Sequence, residues 1–176
     1  AAMINLSFWK AGRILIDPCC GSGTIPIEAA LIGRNIAPGL NRRFASDQWE
    51  AIPQKIWKEE KKAAFESIDT EIKLEIYSFD IDERAIAAAE QNAVEAGVDD
   101  SIIFKRMNME NLRSTGLNGI IITNPPYGER IGEKEDIEKI YAKFKNFYAE
   151  NPTWSLFIIT TDKTIENKIF GREANR

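Results

Sequence analysis

Gly119-Ile120-Ile121-Ile122-Thr123-Asn124-Pro125-Pro126-Tyr127 is the stretch from which the fold is read. A β-branched run ending in two prolines reads as a buried strand stopped at its carboxyl edge, because proline has no N–H with which to extend a ladder. Runs of similar character recur at Arg13–Asp17, Leu74–Phe79, Ser101–Lys105 and Trp154–Thr161. Helical spacing of apolar residues lies between them, at Ile25–Ile36, Gln54–Ile68, Glu83–Glu95 and 135–149, after a short amphipathic segment over residues 1–10. Strands that alternate with helices in this way predict an α/β fold with a Rossmann-like, doubly wound, mostly parallel sheet. Sheets of that kind take their ligands outside the carboxyl ends of the strands.

The chain has 176 residues, 44% of them hydrophobic, which is enough for one core and one domain. A net charge of −4 argues against a surface that grips nucleic acid by bulk electrostatics, so any such grip is local or borrowed. Cys19 and Cys20 are adjacent and poorly placed to bridge one another, and no stretch resembles a secretory signal or a membrane span. A reducing cytoplasm is the expected compartment. Histidine is absent, which removes His-assisted triads, imidazole bases and His-ligated metals; no metal site is expected.

Each strand end carries a group suited to a ligand. After the first comes Asp17-Pro18-Cys19-Cys20-Gly21-Ser22-Gly23-Thr24, a glycine loop that feeds a helix start. Such a loop ordinarily suits a phosphate, but the Asp17 carboxylate would repel a pyrophosphate and attract an ammonium group. Pro26 also stands where the dinucleotide fingerprint needs its third glycine. The loop alone suits a structural turn about as well. Asp80, at the tip of the second strand, is placed to accept from both hydroxyls of a ribose, whereas Asp82 suits the cap of the following helix. Met107-Asn108-Met109 offers an amide between two soft side chains, fitting either a purine or a helix cap over core methionines. At the central turn, Asn124 and a proline carbonyl can accept from an exocyclic amine while Tyr127 stacks on the ring, although the same residues suit an Asn-Pro turn under a core tyrosine. Arg34, Arg42 and Arg43 form a basic cluster that suits a phosphate backbone or a solvated rim.

Taken together, Asp17-Pro-Cys-Cys-Gly-Ser-Gly-Thr24, Asp80-Ile-Asp82, Asn108 and Asn124-Pro-Pro-Tyr127 resemble the class I S-adenosylmethionine-dependent methyltransferases that act on exocyclic amines. The longer matches Asp17–Ala30, Asn35-Ile-Ala-Pro-Gly39 and Asn124–Arg130 look like the catalytic domain of bacterial 23S rRNA guanine-N2 methyltransferases, which commonly carry an RNA-binding THUMP domain upstream. The resemblance covers nearly all of residues 1–176, read as a catalytic fragment of a longer parent. It departs from the family in Asn108, where relatives usually show aspartate, and in the apparently missing terminal antiparallel hairpin. By this resemblance S-adenosylmethionine is the cofactor, with its methionine end on Asp17, Pro18, Cys19, Gly21, Gly23 and Thr24. Asp80 holds its ribose, Ile81 lies against the adenine, and Asn108 with Met109 meets the adenine edge. Asn124, Pro125, Pro126 and Tyr127 are the implied catalytic residues, and ribosomal RNA is the implied partner.

Two other readings stay open, and one fails on placement. N6-adenine methylation of DNA shares the Asn-Pro-Pro-Tyr turn and is separated only by flanking sequence. Cytosine C5 methylation, prompted by Pro18-Cys19, would need its cysteine at the catalytic turn, which has none. A non-catalytic scaffold is the other open reading.

Overall fold

The computed structural model describes residues 1–114, 116–126 and 133–173, the first four of the last range by backbone alone. Its sheet contains β1 (Leu15–Asp17), β2 (Ile76–Asp80), β3 (Ile102–Arg106), β4 (Ile120–Thr123) and β5 (Ser155–Ile158) in the order β3-β2-β1-β4-β5. Every pairing is parallel. The helices are α1 (Ala2–Leu6), α2 (Thr24–Gly33), α3 (Gln54–Glu66), α4 (Glu83–Ala96), α5 (Glu133–Glu150) and α6 (Ile165–Phe170). The expected doubly wound α/β architecture is thus observed.

Alternation along the strands divides the core into two layers. On one face Ile16 and Ile121 join Ile137, Tyr141, Phe144 and Trp154; on the other Leu15, Ile76, Ile120 and Ile122 join Ala29, Ala30, Ala93 and Trp9. All four residues of β4 are buried, as a strand covered on both faces requires. Trp154 anchors the start of β5: its indole N–H donates to the Gly116 carbonyl at 2.9 Å and its ring stands edge-on to Phe147. The ring fills the space beside Gly119, where an added Cβ would clash with it.

Connections are drawn first to the left of β1 and then to its right, so the strand order reverses between β1 and β4. Ligands of doubly wound sheets sit at the carboxyl side of such a reversal. A groove of about 880 Å³ runs instead along β5 and α6, lined by Trp154, Leu156, Ile158, Ile165 and Phe170 among others. None of Asp17, Asp80 or Asn124 reaches it, so it is separate from the reversal point.

One expectation needs correction. The first helix ends at Leu6, and Phe8, with φ 54°, is exposed on the turn that follows. Within the basic group, Arg34 pairs with Asp100 at 2.9 Å and Arg42 lies over the Phe44 ring at 4.6 Å. Ion pairing and stacking give these two guanidinium groups local partners that the linear spacing did not reveal.

Candidate active site

Asp17 closes β1 and is 1% exposed. Its Oδ1 accepts from the Thr123 hydroxyl at 2.7 Å and from the Cys19 N–H at 3.2 Å, while its Oδ2 is buried with no partner. Burial raises the Asp17 pKa to about 7; the two hydrogen bonds oppose the rise, and the neighbouring Asp80 charge adds to it. Pro18 and Cys20 are buried and Cys19 nearly so. Burial pushes the Cys19 thiol up to about 12, helped by the charges of Asp17 and Asp80, and moves Cys20 in the same direction. Both therefore stay protonated at neutral pH, as small apolar loop residues should.

The loop after β1 is tied to the tip of β2. Gly21 N–H donates to Asp80 Oδ2 at 2.9 Å, Asp82 N–H donates to Asp80 Oδ1 at 2.9 Å, and Cys20 N–H reaches the Phe79 carbonyl. A carboxylate has about four lone-pair sites, so these two bonds orient Asp80 and still leave capacity for a diol. Gly21 and Gly23 both adopt positive φ, 54° and 85°. At Gly23 the requirement is doubled, because an added Cβ would stand 3.0 Å from the Ala89 Cβ of α4. Around Gly21 the same probe meets nothing within 4 Å, which leaves bare backbone facing open space. Thr24 is the exposed first residue of α2, and Pro26 falls within its first turn, where a missing N–H costs nothing. Ile81, next to Asp80, is 62% exposed, an apolar side chain that a flat ring could cover. Asp82 caps α4 by accepting from Arg84 N–H at 2.9 Å, as expected.

After β3, the Asn108 side chain accepts from Glu110 N–H at 2.8 Å and so caps the short turn Met109–Asn111. Its oxygen keeps a second lone pair, and its amide its two donors, for an outside group. Met109 is 6% exposed within the core layer that holds Phe144, which corrects the reading of its side chain as a face for the purine. Apolar burial claims that thioether, whereas Met107 remains only half-buried. Beyond β4, Asn124 is exposed, Pro125 buried and Pro126 exposed. Tyr127 and the following glycine-rich segment through Gly132 lie outside the described residues.

Three contributors escaped the sequence reading. Thr123 joins the tips of β4 and β1 through Asp17. Asn92 of α4 donates to the Ser22 carbonyl at 2.9 Å and steadies the glycine loop from outside. Ser78, the register partner of Asp17, is fully buried with its hydroxyl oxygen unpaired. For Thr123 and Ser78 the only sequence signal was a hydroxyl within an apolar run, and Asn92 gave none.

The whole length, residues 1–176, matches UPF0020, the RMKL-like methyltransferase domain. The chain belongs to this family. Relatives include the "Putative RNA methyltransferase YpsC" of Bacillus subtilis, 42% identical over all of this chain and 46% of that protein. A "Ribosomal RNA large subunit methyltransferase K/L" of Shewanella amazonensis is 40% identical over 96% of this chain and 25% of that protein. Among solved structures, SMU.472, a putative methyltransferase complexed with SAH, superposes with a TM-score of 0.92 at 40% identity, over 99% of this chain and 46% of that one. The chain of this UPF0020 member thus spans less than half the length of the relatives it matches. Among its described residues no helix is long and apolar enough to cross a membrane.

Proposed function

We propose that this chain is a catalytic domain that transfers a methyl group from S-adenosylmethionine to an exocyclic amine of a ribosomal RNA base, namely guanine N2 in 23S rRNA. The observation that carries this reading is the convergence at one sheet reversal of a buried carboxylate, a second oriented carboxylate and the Asn124–Pro126 turn. The residues present fit the cofactor: Asp17 keeps one oxygen without a partner, the backbone at Gly21 is uncovered, and the apolar Ile81 stands beside Asp80.

The buried Asp17 charge sets a negative field, little screened by water, for the ammonium at the methionine end, over the loop from Pro18 to Thr24. Asp80 accepts from the ribose hydroxyls, Ile81 covers the adenine, and Asn108 takes its edge with the backbone of Met109 alongside. When bound, the cofactor supplies a methyl group on a positively charged sulfur. Asn124 and the Pro125 carbonyl accept the two hydrogens of the target amine, turning its lone pair out of the ring, and Pro126 holds the turn rigid. Tyr127 stacks on the base. No strong base is needed, because orientation and fixed dipoles act where charge develops on the nitrogen. The acidic domain borrows its grip on RNA from an upstream THUMP domain, and the activity belongs to the cytoplasm.

The two aspartates at β2 separate binding from folding. Asp80→Ala should weaken S-adenosylmethionine binding by roughly 1–3 kcal/mol, through lost ribose bonds and a loosened Gly21. Asp82→Ala should leave affinity intact and cost about 1 kcal/mol of stability as a lost helix cap. Calorimetric titration of both variants decides it, and equal affinity losses would remove the ribose role from Asp80.

The substrate is tested by nucleoside mass spectrometry of 23S rRNA from a strain lacking the gene. Loss of one N2-methylguanosine, restored by complementation, is the expected result. Unchanged rRNA together with lost N6-methyladenosine in DNA would transfer the assignment to the adenine reading.

A further inference from the structure

We propose that Thr123 is a positioning residue for methyl transfer, whose buried hydroxyl holds the Asp17 carboxylate and the Asn124–Pro126 turn in one unit. The inference rests on the function proposed above and assigns a residue that the motif itself does not contain. Thr123 is fully buried at the end of β4, next to Asn124. Its carbonyl accepts from Ile159 N–H at 3.0 Å, so the backbone is fixed by β5 and only the side-chain torsion is left to choose. A β-branched side chain has few choices there.

The chosen rotamer points the hydroxyl across the reversal between β4 and β1, to Asp17 Oδ1 at 2.7 Å, a well-formed hydroxyl–carboxyl hydrogen bond. A valine would fill a strand end in the run Ile120-Ile121-Ile122 equally well, and a buried hydroxyl costs free energy unless it is bonded. The bond thus accounts for the residue. Because Thr123 and the Cys19 N–H both address Oδ1, the unpartnered oxygen of Asp17 is always Oδ2, and the direction of its charge is set. Any rotation or protonation of Asp17 is then felt one residue from the amide that receives the target amine.

The groups acting on Asp17 are Asp80 from β2 and, from its own loop, Cys19 and Cys20, whose thiols stay protonated. Of the two hydrogen bonds that favour the ionised form, that from Thr123 comes ahead of that from the Cys19 N–H. Removing its hydroxyl moves the Asp17 titration further up, and cofactor affinity, which depends on the ionised form, is lost at a higher pH.

The test uses the full-length protein with Thr123→Val and Thr123→Ser. S-adenosylhomocysteine is titrated calorimetrically between pH 6 and 9, and single-turnover methyl transfer to rRNA is measured at saturating S-adenosylmethionine. Thr123→Val should move the pH midpoint of binding upward by about one unit and slow transfer by roughly 10–100-fold. Thr123→Ser, which keeps the hydroxyl, should restore both. If valine prevents folding, Thr123→Ala removes the same hydroxyl without adding bulk and must show the same two changes. An unaltered midpoint and rate in the hydroxyl-free variant would overturn the proposal. The functional reading fails separately: it falls if the parent protein binds no S-adenosylhomocysteine, whereas parent binding that Asp80→Ala weakens, with Thr123→Val unaffected, removes only the role of Thr123.

Discussion

Asn124→Ala abolishes methyl transfer, by about 10²–10³-fold or more, while affinity for S-adenosylmethionine stays at the parent value. The asymmetry follows from position. Asn124 is exposed at the carboxyl end of a fully buried strand, beyond the Asp17 and Asp80 groups assigned to the cofactor. In the proposed function its amide acts on the incoming amine, and its hydrogen bonds matter most as charge builds on nitrogen, so the loss falls on the chemical step. Single-turnover transfer of labelled methyl to rRNA, with calorimetry of cofactor binding in parallel, reads the two quantities separately. Transfer at the parent rate would make the turn structural.

Replacing Asp17 by Asn produces the opposite pairing, a more stable protein that no longer binds the cofactor well. The sign comes from the raised pKa. A carboxyl whose folded value is about 7 instead of 3.8 contributes its full stability only below the unfolded value, and loses it as pH rises through about 7. Above that, the ionised buried group costs on the order of 4 kcal/mol. An amide keeps the acceptor for Thr123 and Cys19 but leaves its N–H groups unpaired where Oδ2 lies, which offsets roughly 1–3 kcal/mol of the gain. Asp17→Asn should therefore raise the stability of the cofactor-free protein at pH 8 by about 1–3 kcal/mol, and give no advantage at pH 4. Chemical denaturation at the two pH values checks this, and the thermal shift with S-adenosylmethionine should shrink in the same variant. A destabilised Asp17→Asn protein at pH 8 would show that the carboxylate is structural. The pattern is the usual exchange of stability for a poised site.

What could be read from the sequence was whatever a local pattern encodes. The β-branched run before Asn124 gave β4, the change from alternating to helical spacing around Asp80 gave β2 and α4, and Asp82 gave the cap of α4. The placement of Asp17, Asp80, Asn108 and Asn124 at successive strand ends followed from that periodicity alone. What could not be read depended on neighbours distant in sequence. Thr123 and Asp17 are 106 residues apart, and a lone hydroxyl in an apolar run carries no sign of its partner. Gly23 was read as a loop residue, yet half of its requirement comes from Ala89 on another element. Met109 was read by its softness, which suits a core as well as a ligand, and only burial decides between them. Arg34 was grouped with its neighbours in sequence but is held by Asp100.

The most direct measurement of the central claim is a crystal structure of the full-length protein with S-adenosylhomocysteine. The ribose hydroxyls should lie on Asp80, the ammonium end over the loop from Asp17 to Thr24, and the sulfur should face Asn124 and Pro125. A molecule bound elsewhere, or one whose sulfur faces away from that turn, would contradict the account.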